Sequence, residues 1–118
     1  MAVGRLAICL GVSLGAIMSA APSAPAGADT VAYLVNVTVR PGYNFANAES
    51  AISYGHTICG KVAHAHPYLD LKRDVMNDFT TSDDYQAAYL ISQAVGELCP
   101  AQIWQLRQLA ATRFDQGQ

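Results

Sequence analysis

Arg5, an apolar run from Leu6 to Met18, and a train of small residues closing on Ala26-Gly27-Ala28 stand in that order at the start of the sequence. A short basic region, an apolar stretch and a small-residue cleavage site in succession are the pattern of a secretory signal peptide. Residues 1–28 are therefore expected to be removed after Ala28, leaving 29–118 as a single small domain of roughly ninety residues. A membrane anchor would need roughly 20 apolar residues. Gly11, Ser13, Gly15 and Ser19, followed by Pro22 and Pro25, leave the run short of that. Lipidation would need a cysteine just past the apolar run, and Cys9 lies inside it.

Removal of this segment changes the arithmetic of charge and sulfur. The chain carries seven Lys and Arg against nine Asp and Glu. Without Arg5 the balance is about −3 with histidine neutral. Arg40, Lys61, Lys72, Arg73, Arg107 and Arg113 are dispersed among acids, which excludes the basic face that neutralises nucleic-acid phosphates. The same dispersion argues against attachment to anionic lipid. Of three cysteines, Cys9 leaves with the leader, and Cys59 and Cys99 enter an oxidising compartment, where they are expected to pair. A bond closing a loop of this length stabilises a small fold by about 4 kcal/mol in the chain-entropy model.

The pattern after residue 29 is mostly helical. Val31, Tyr33, Val35, Val37 and Val39 alternate as a strand would, but no second alternating segment exists to take the ladder hydrogen bonds. From Asn47, a suitable N-cap, the apolar positions Ala51, Ile52, Gly55, Ile58, Cys59 and Val62 recur at three and four, predicting a helix that ends before Pro67. Asp70 is expected to cap a third helix presenting Leu71, Val75, Met76 and Phe79. Thr81 and Asp84 have capping-box spacing for a fourth, with Tyr85, Ala88, Tyr89, Ser92, Val95 and Cys99 on one face. Pro100 stops that helix and suits the first turn of a fifth, which carries Ile103, Leu106, Leu109, Ala110 and Phe114. Residues 115–118 are expected to fray. The fold class that follows is all-α: a small orthogonal bundle of four to five short helices stapled by one disulfide.

Gly55-His56-x-x-Cys59 on one helix, a spacer, and an Ala-rich helix ending in Cys99-Pro100 resemble the small secreted mycobacterial proteins grouped as domain of unknown function 732. The resemblance spans about 31–109. It implies a small helical fold with one disulfide and an extracytoplasmic location, and it implies no activity. Members open on a helix of the Phe-Leu-x-x-Leu kind, onto which Tyr33-Leu34-x-x-Val37 can be laid, so the resemblance favours helix for the ambiguous first segment.

Chemistry-bearing residues are few. A metal site needs three or four converging ligands, whereas His64 and His66 are two apart and His56 lies two helical turns away. The expectation for His56 is a ring packed beside the disulfide and bonded to backbone; the sharper alternative is a haem or metal ligand. Tyr85 and Tyr89 share a helix face, either as half-buried core residues or as anchors for a ligand. Trp104 stands beside the apolar stripe of the fifth helix, at a packing edge or in a contact patch. Asp70, Asp74 and Asp78 recur every four residues and read as a solvated face rather than a calcium site. No nucleophile elbow, zinc-protease motif or phosphate loop is present, and neither an enzyme nor a bound cofactor is expected. Asn36-Val37-Thr38 has sequon form, without consequence in an exported bacterial protein. Two functions stay open: an exported interaction or structural module for a protein or cell-envelope partner, and a small carrier of an apolar or haem-like ligand. Oligomeric state has no signature in the sequence.

Overall fold

The computed structural model describes residues 29–116, with side chains as far as residue 112; the expected leader with Cys9, and the side chain of Phe114, lie outside the described residues. Five α-helices follow one another: α1 (Thr30–Thr38), α2 (Ala48–Ala63), α3 (Tyr68–Asp78), α4 (Asp84–Gln93) and α5 (Ile103–Gln116). A π-helical turn, Ala94–Leu98, extends α4, and a 3-10 turn, Pro100–Gln102, leads into α5. No strand occurs among the described residues, so the all-α expectation holds.

The ambiguous first segment is a helix, and helical geometry explains its alternating valines. A two-residue step turns an α-helix by roughly 200°, so alternation sends successive apolar residues to opposite faces. Tyr33 and Val37 are buried against the bundle, while Val31, Val35 and Val39 point away from it. Asp29 caps the helix, its Oδ1 accepting from the Ala32 N–H at 2.8 Å, and its own backbone N–H donates to the Glu97 carbonyl. The Tyr33 hydroxyl donates to the Ala51 carbonyl at 2.8 Å, which satisfies a polar atom at the centre of the core.

Asn47 caps α2 in a reciprocal box with Ser50. The helix buries Ala51, Gly55, Ile58, Cys59 and Val62, the stripe expected from the sequence. It ends in a Schellman motif, with Ala65 in the left-handed region and the His66 N–H returning to the Lys61 carbonyl. The third helix starts three residues earlier than expected: Pro67 holds the N-cap position, and Asp70 lies in the first turn, where it pairs with Arg73 instead of capping. For α4 the cap is Asp83, whose Oδ1 accepts from the Tyr85 and Gln86 N–H groups, rather than a Thr81–Asp84 box. Thr81 supports it one step back, its Oγ1 accepting from the Asp83 N–H. The tail is helical as far as Gln116, further than expected.

The largest correction concerns the face of α4. Its core side is Ala87, Leu90 and Ile91, continued by Ala94, Val95 and Leu98 of the π turn. Tyr85, Ala88, Tyr89 and Ser92 form the opposite side, not the core stripe. Both faces of this helix carry apolar residues, so periodicity alone does not decide between them.

The π turn packs against α1 and α2, and α3 against α4, with α5 laid across α2 and α3. Cys59 and Cys99 are bonded, their Cα atoms 6.2 Å apart, tying the C-terminal part of α2 to the end of the π turn. An aromatic group at the edge of the core holds the α1–α2 loop: Tyr43, Phe45, Tyr54 and Phe79 meet with ring centroids 5.1 to 6.2 Å apart, most of them edge to face. No helix of the described residues is long and apolar enough to cross a membrane.

Candidate binding surface

Each polar candidate from the sequence finds a separate place. His56 is exposed on α2 rather than a packed ring, which corrects the expectation for it. The histidine bonded to backbone is His64, whose Nδ1 lies 2.7 Å from the Gly60 carbonyl at the end of α2. His66 approaches Asp74, Nε2 to Oδ2 at 3.1 Å, and Lys61 donates to the same oxygen at 3.0 Å. The Lys61 hydrogen bond and charge, aided by His66, hold the Asp74 carboxyl below its usual range. Asp78 accepts from the Tyr54 hydroxyl at 2.7 Å. The three aspartates of α3 therefore each serve a different partner, and no three His, Cys, Asp or Glu side chains converge on a metal position among the described residues.

The tyrosines divide by burial. Tyr33 and Tyr43 are inside, and burial pushes both hydroxyls up to about 12 from the ordinary 10.0. Burial also raises Tyr54, and its hydrogen bond to the Asp78 carboxylate adds to the shift. Tyr85, expected as half-buried core, is 78% exposed. Tyr89 is half-buried; its hydroxyl donates to the Asn36 carbonyl, and the Arg40 guanidinium lies over its ring at 3.9 Å from the centroid. Trp104 is 71% exposed with the Arg107 guanidinium 5.1 Å from its ring centre, a surface residue rather than a packing edge.

Three surface grooves stand out among the described residues. The first, about 370 Å³, lies under the α1–α2 loop, with Leu34, Val37, Tyr43 and Phe45 as its apolar lining. The second, about 290 Å³, is lined by Tyr68, Lys72, Asp84, Tyr85 and Ala88. The third, about 390 Å³, shares Tyr68, Tyr85 and Ala88 with the second and adds Arg40, Tyr89 and Ser92. Lys72 is only 7% exposed, is paired with the outward-facing Asp84, and sits 5.4 Å from the Tyr68 ring centre. Burial of a lysine is tolerated only with such a partner. Neither Arg40 nor Lys72 stands out in the sequence, because one belongs to a loop and the other to an ordinary helical position.

The remaining exposed apolar residues are concentrated on α1: Val31, Val35 and Val39 are 70%, 52% and 71% exposed. Spaced by four, they form one stripe along the helix, with no charged residue in Thr30–Thr38 to interrupt it. A helix apolar on both sides is characteristic of one covered on both sides.

A family model described as "Protein of unknown function (DUF732)" matches residues 28–101, which takes in α1 to α4, both bonded cysteines and the start of the 3-10 turn. No curated protein and no solved structure matches the chain.

Proposed function

Because the chain belongs to the DUF732 family, whose description carries no activity, we propose from the geometry that it is an exported, non-catalytic interaction module that docks a protein or cell-envelope partner on the outer side of α1. The observation that carries this reading is the Val31, Val35, Val39 stripe. A nine-residue helix would normally turn polar side chains to water, and this one turns valines. The alternative, a carrier of an apolar or haem-like ligand, needs a pocket that encloses its cargo, whereas the grooves described above are open to solvent. Export is supported by the Cys59–Cys99 bond, which suits an oxidising compartment. Cleavage after Ala28 would leave Asp29 free to cap α1 and to bond Glu97 as it does here.

A photo-crosslinking residue placed at Val35 tests the docking surface in the cells that make the protein. The expected result is one discrete adduct, reproduced from Val31 and Val39 and not obtained from Ser53 on the exposed side of α2. Equal labelling from Ser53, or a native mass spectrum carrying a stoichiometric small molecule, would set the module aside in favour of non-specific contact or a carrier. Export has its own check, a mature mass starting at Asp29 with no titratable thiol; two free thiols would overturn it.

A further inference from the structure

The second and third grooves form one continuous feature along the outer face of α4, and its side chains are arranged by charge. Tyr68, Tyr85 and Ala88 are common to both parts. At one end Arg40 lies on the Tyr89 ring at 3.9 Å; at the other Lys72 lies 5.4 Å from the Tyr68 ring centre. The two cations are not equivalent. Lys72 is buried and neutralised by Asp84, whereas Arg40 has no carboxylate within ion-pair distance among the described residues. A guanidinium stacked on an aromatic ring is held in orientation, so less freedom is lost when its planar fork takes a ligand.

We propose that this groove binds an acidic segment of extended polypeptide, with one carboxylate on the Arg40 guanidinium and the neighbouring apolar part of the segment between the Tyr68 and Tyr85 rings over Ala88. Charge complementarity selects this occupant. One unpaired arginine matches a single carboxylate, which a guanidinium takes in two parallel hydrogen bonds. A phosphorylated group, carrying close to two charges, or an anionic lipid surface calls for a cluster of cations, whereas Arg40 is the one lining cation left without a carboxylate partner among the described residues, Lys72 being taken up by Asp84. Sugar stacking draws on several bare ring faces, but a cation covers a face of Tyr89 and another approaches that of Tyr68, which leaves Tyr85 without a second bare ring beside it. Asp84 does not repel the segment, because its charge is taken up by Lys72. At about 390 Å³ the outer part lies near the lower end of the ~300–1,000 Å³ range of small-molecule sites, a size that suits a short segment rather than a folded element. This site borders the valine stripe of α1, since Arg40 follows Val39, but shares no lining residue with it, and the two readings stand or fall by different variants.

The test follows the amide and tyrosine ring resonances of the purified, disulfide-bonded protein by NMR. The probes are capped four-residue peptides with one glutamate flanked by proline, leucine or phenylalanine, their glutamine counterparts, their phosphoserine counterparts, phosphatidylglycerol vesicles, and a neutral oligosaccharide. Saturable shifts centred on Tyr68, Tyr85, Ala88 and Tyr89 are expected with at least one glutamate peptide. Affinity should be about tenfold weaker for its glutamine counterpart and for Arg40→Gln, with Arg40→Lys intermediate because charge is kept and the fork is lost. Tyr85→Ala should remove the preference among flanking residues. Arg40 and Tyr85 are both exposed, so these variants leave the core intact, and the glutamate–glutamine comparison needs no variant at all. The proposal is overturned if no glutamate peptide saturates, if glutamine peptides bind equally, or if the phosphopeptides, vesicles or oligosaccharide move these resonances at lower concentration than the glutamate peptides do.

Discussion

Gly55 sits where α2 crosses beneath α1 and the π turn, and it is glycine for want of space rather than for backbone freedom. A Cβ built on it would run into Leu98 Cδ1 and stand 2.9 Å from the Tyr33 hydroxyl and the ring carbon that bears it. Leu98 can swing aside, but Tyr33 is fully buried and tied to the Ala51 carbonyl, so it has little room to yield. Gly55→Ala is therefore expected to lower stability by about 1–3 kcal/mol despite the better helix propensity of alanine, read as a lower urea midpoint. An unchanged or raised midpoint would mean that the bundle is looser at this crossing than described. At the same scale the sequence named Gly55 as an apolar-face residue of α2 and was right about its burial. It misplaced His56, because one residue along a helix swings a side chain by about 100°, out of the core and into water. Arg40 carries no local signal, since its role comes from the ring of Tyr89 across a sequence gap that no pattern spans.

Helix ends are where the elements store strain. Both α2 and α3 close in Schellman motifs whose left-handed position is held by a residue with a side chain, Ala65 at φ 59° and Thr80 at φ 49°. Glycine is the usual occupant, and a β-branched threonine is the least suited. Thr80→Gly should raise stability by about 1 kcal/mol and Ala65→Gly by a somewhat smaller amount, because relief of the backbone outweighs the greater freedom glycine gives the unfolded chain. Urea unfolding of the two variants checks this, and a loss at Thr80 would show that its side chain contributes more than its backbone costs. At the element scale the sequence was legible wherever one period dominated. The core stripe of α2 and the Asn47 cap were readable, as were the apolar positions of α3, which all pack in or against the core. For α4 both sides look apolar, and the spacing of Tyr85, Ala88, Tyr89 and Ser92 points to the tyrosine side as readily as to the other. The structure buries the smaller alanines together with Leu90 and Ile91, where helices must approach closely.

Ionisation acts on the whole molecule. Tyr33 and Tyr43 have hydroxyls raised by burial from 10.0 to about 12, so folding favours their neutral form. Their contribution is complete below pH 10 and is lost as pH rises towards 12. Asp74 works in the opposite direction: lowered chiefly by the Lys61 hydrogen bond, its contribution is present above the usual carboxylate range and disappears as pH falls through its depressed value. Both Asp74 and Lys61 are about a third exposed, so the acid effect is small. The thermal midpoint is expected to be level near neutrality, to dip slightly below about pH 4, and to fall steeply above about pH 10 together with late phenolate absorbance. Complete tyrosine ionisation with the fold intact at pH 11 would contradict the burial of Tyr33 and Tyr43.

The sequence by itself determined that the described residues are all-helical, where helices α2 to α5 lie to within a few residues, and, with Cys9 set apart as part of an expected leader, which two cysteines are bonded. These follow from local period, turn chemistry and the number of sulfur atoms, all properties of neighbours along the chain. Only the tertiary structure decided that the alternating valines of α1 face outward, that α4 turns its tyrosines to the surface, and that Arg40 and Lys72 come to lie along one aromatic groove. Those outcomes depend on which of two apolar faces finds the tighter complement in the assembled core. That is a competition between distant residues, and no segment read alone contains it.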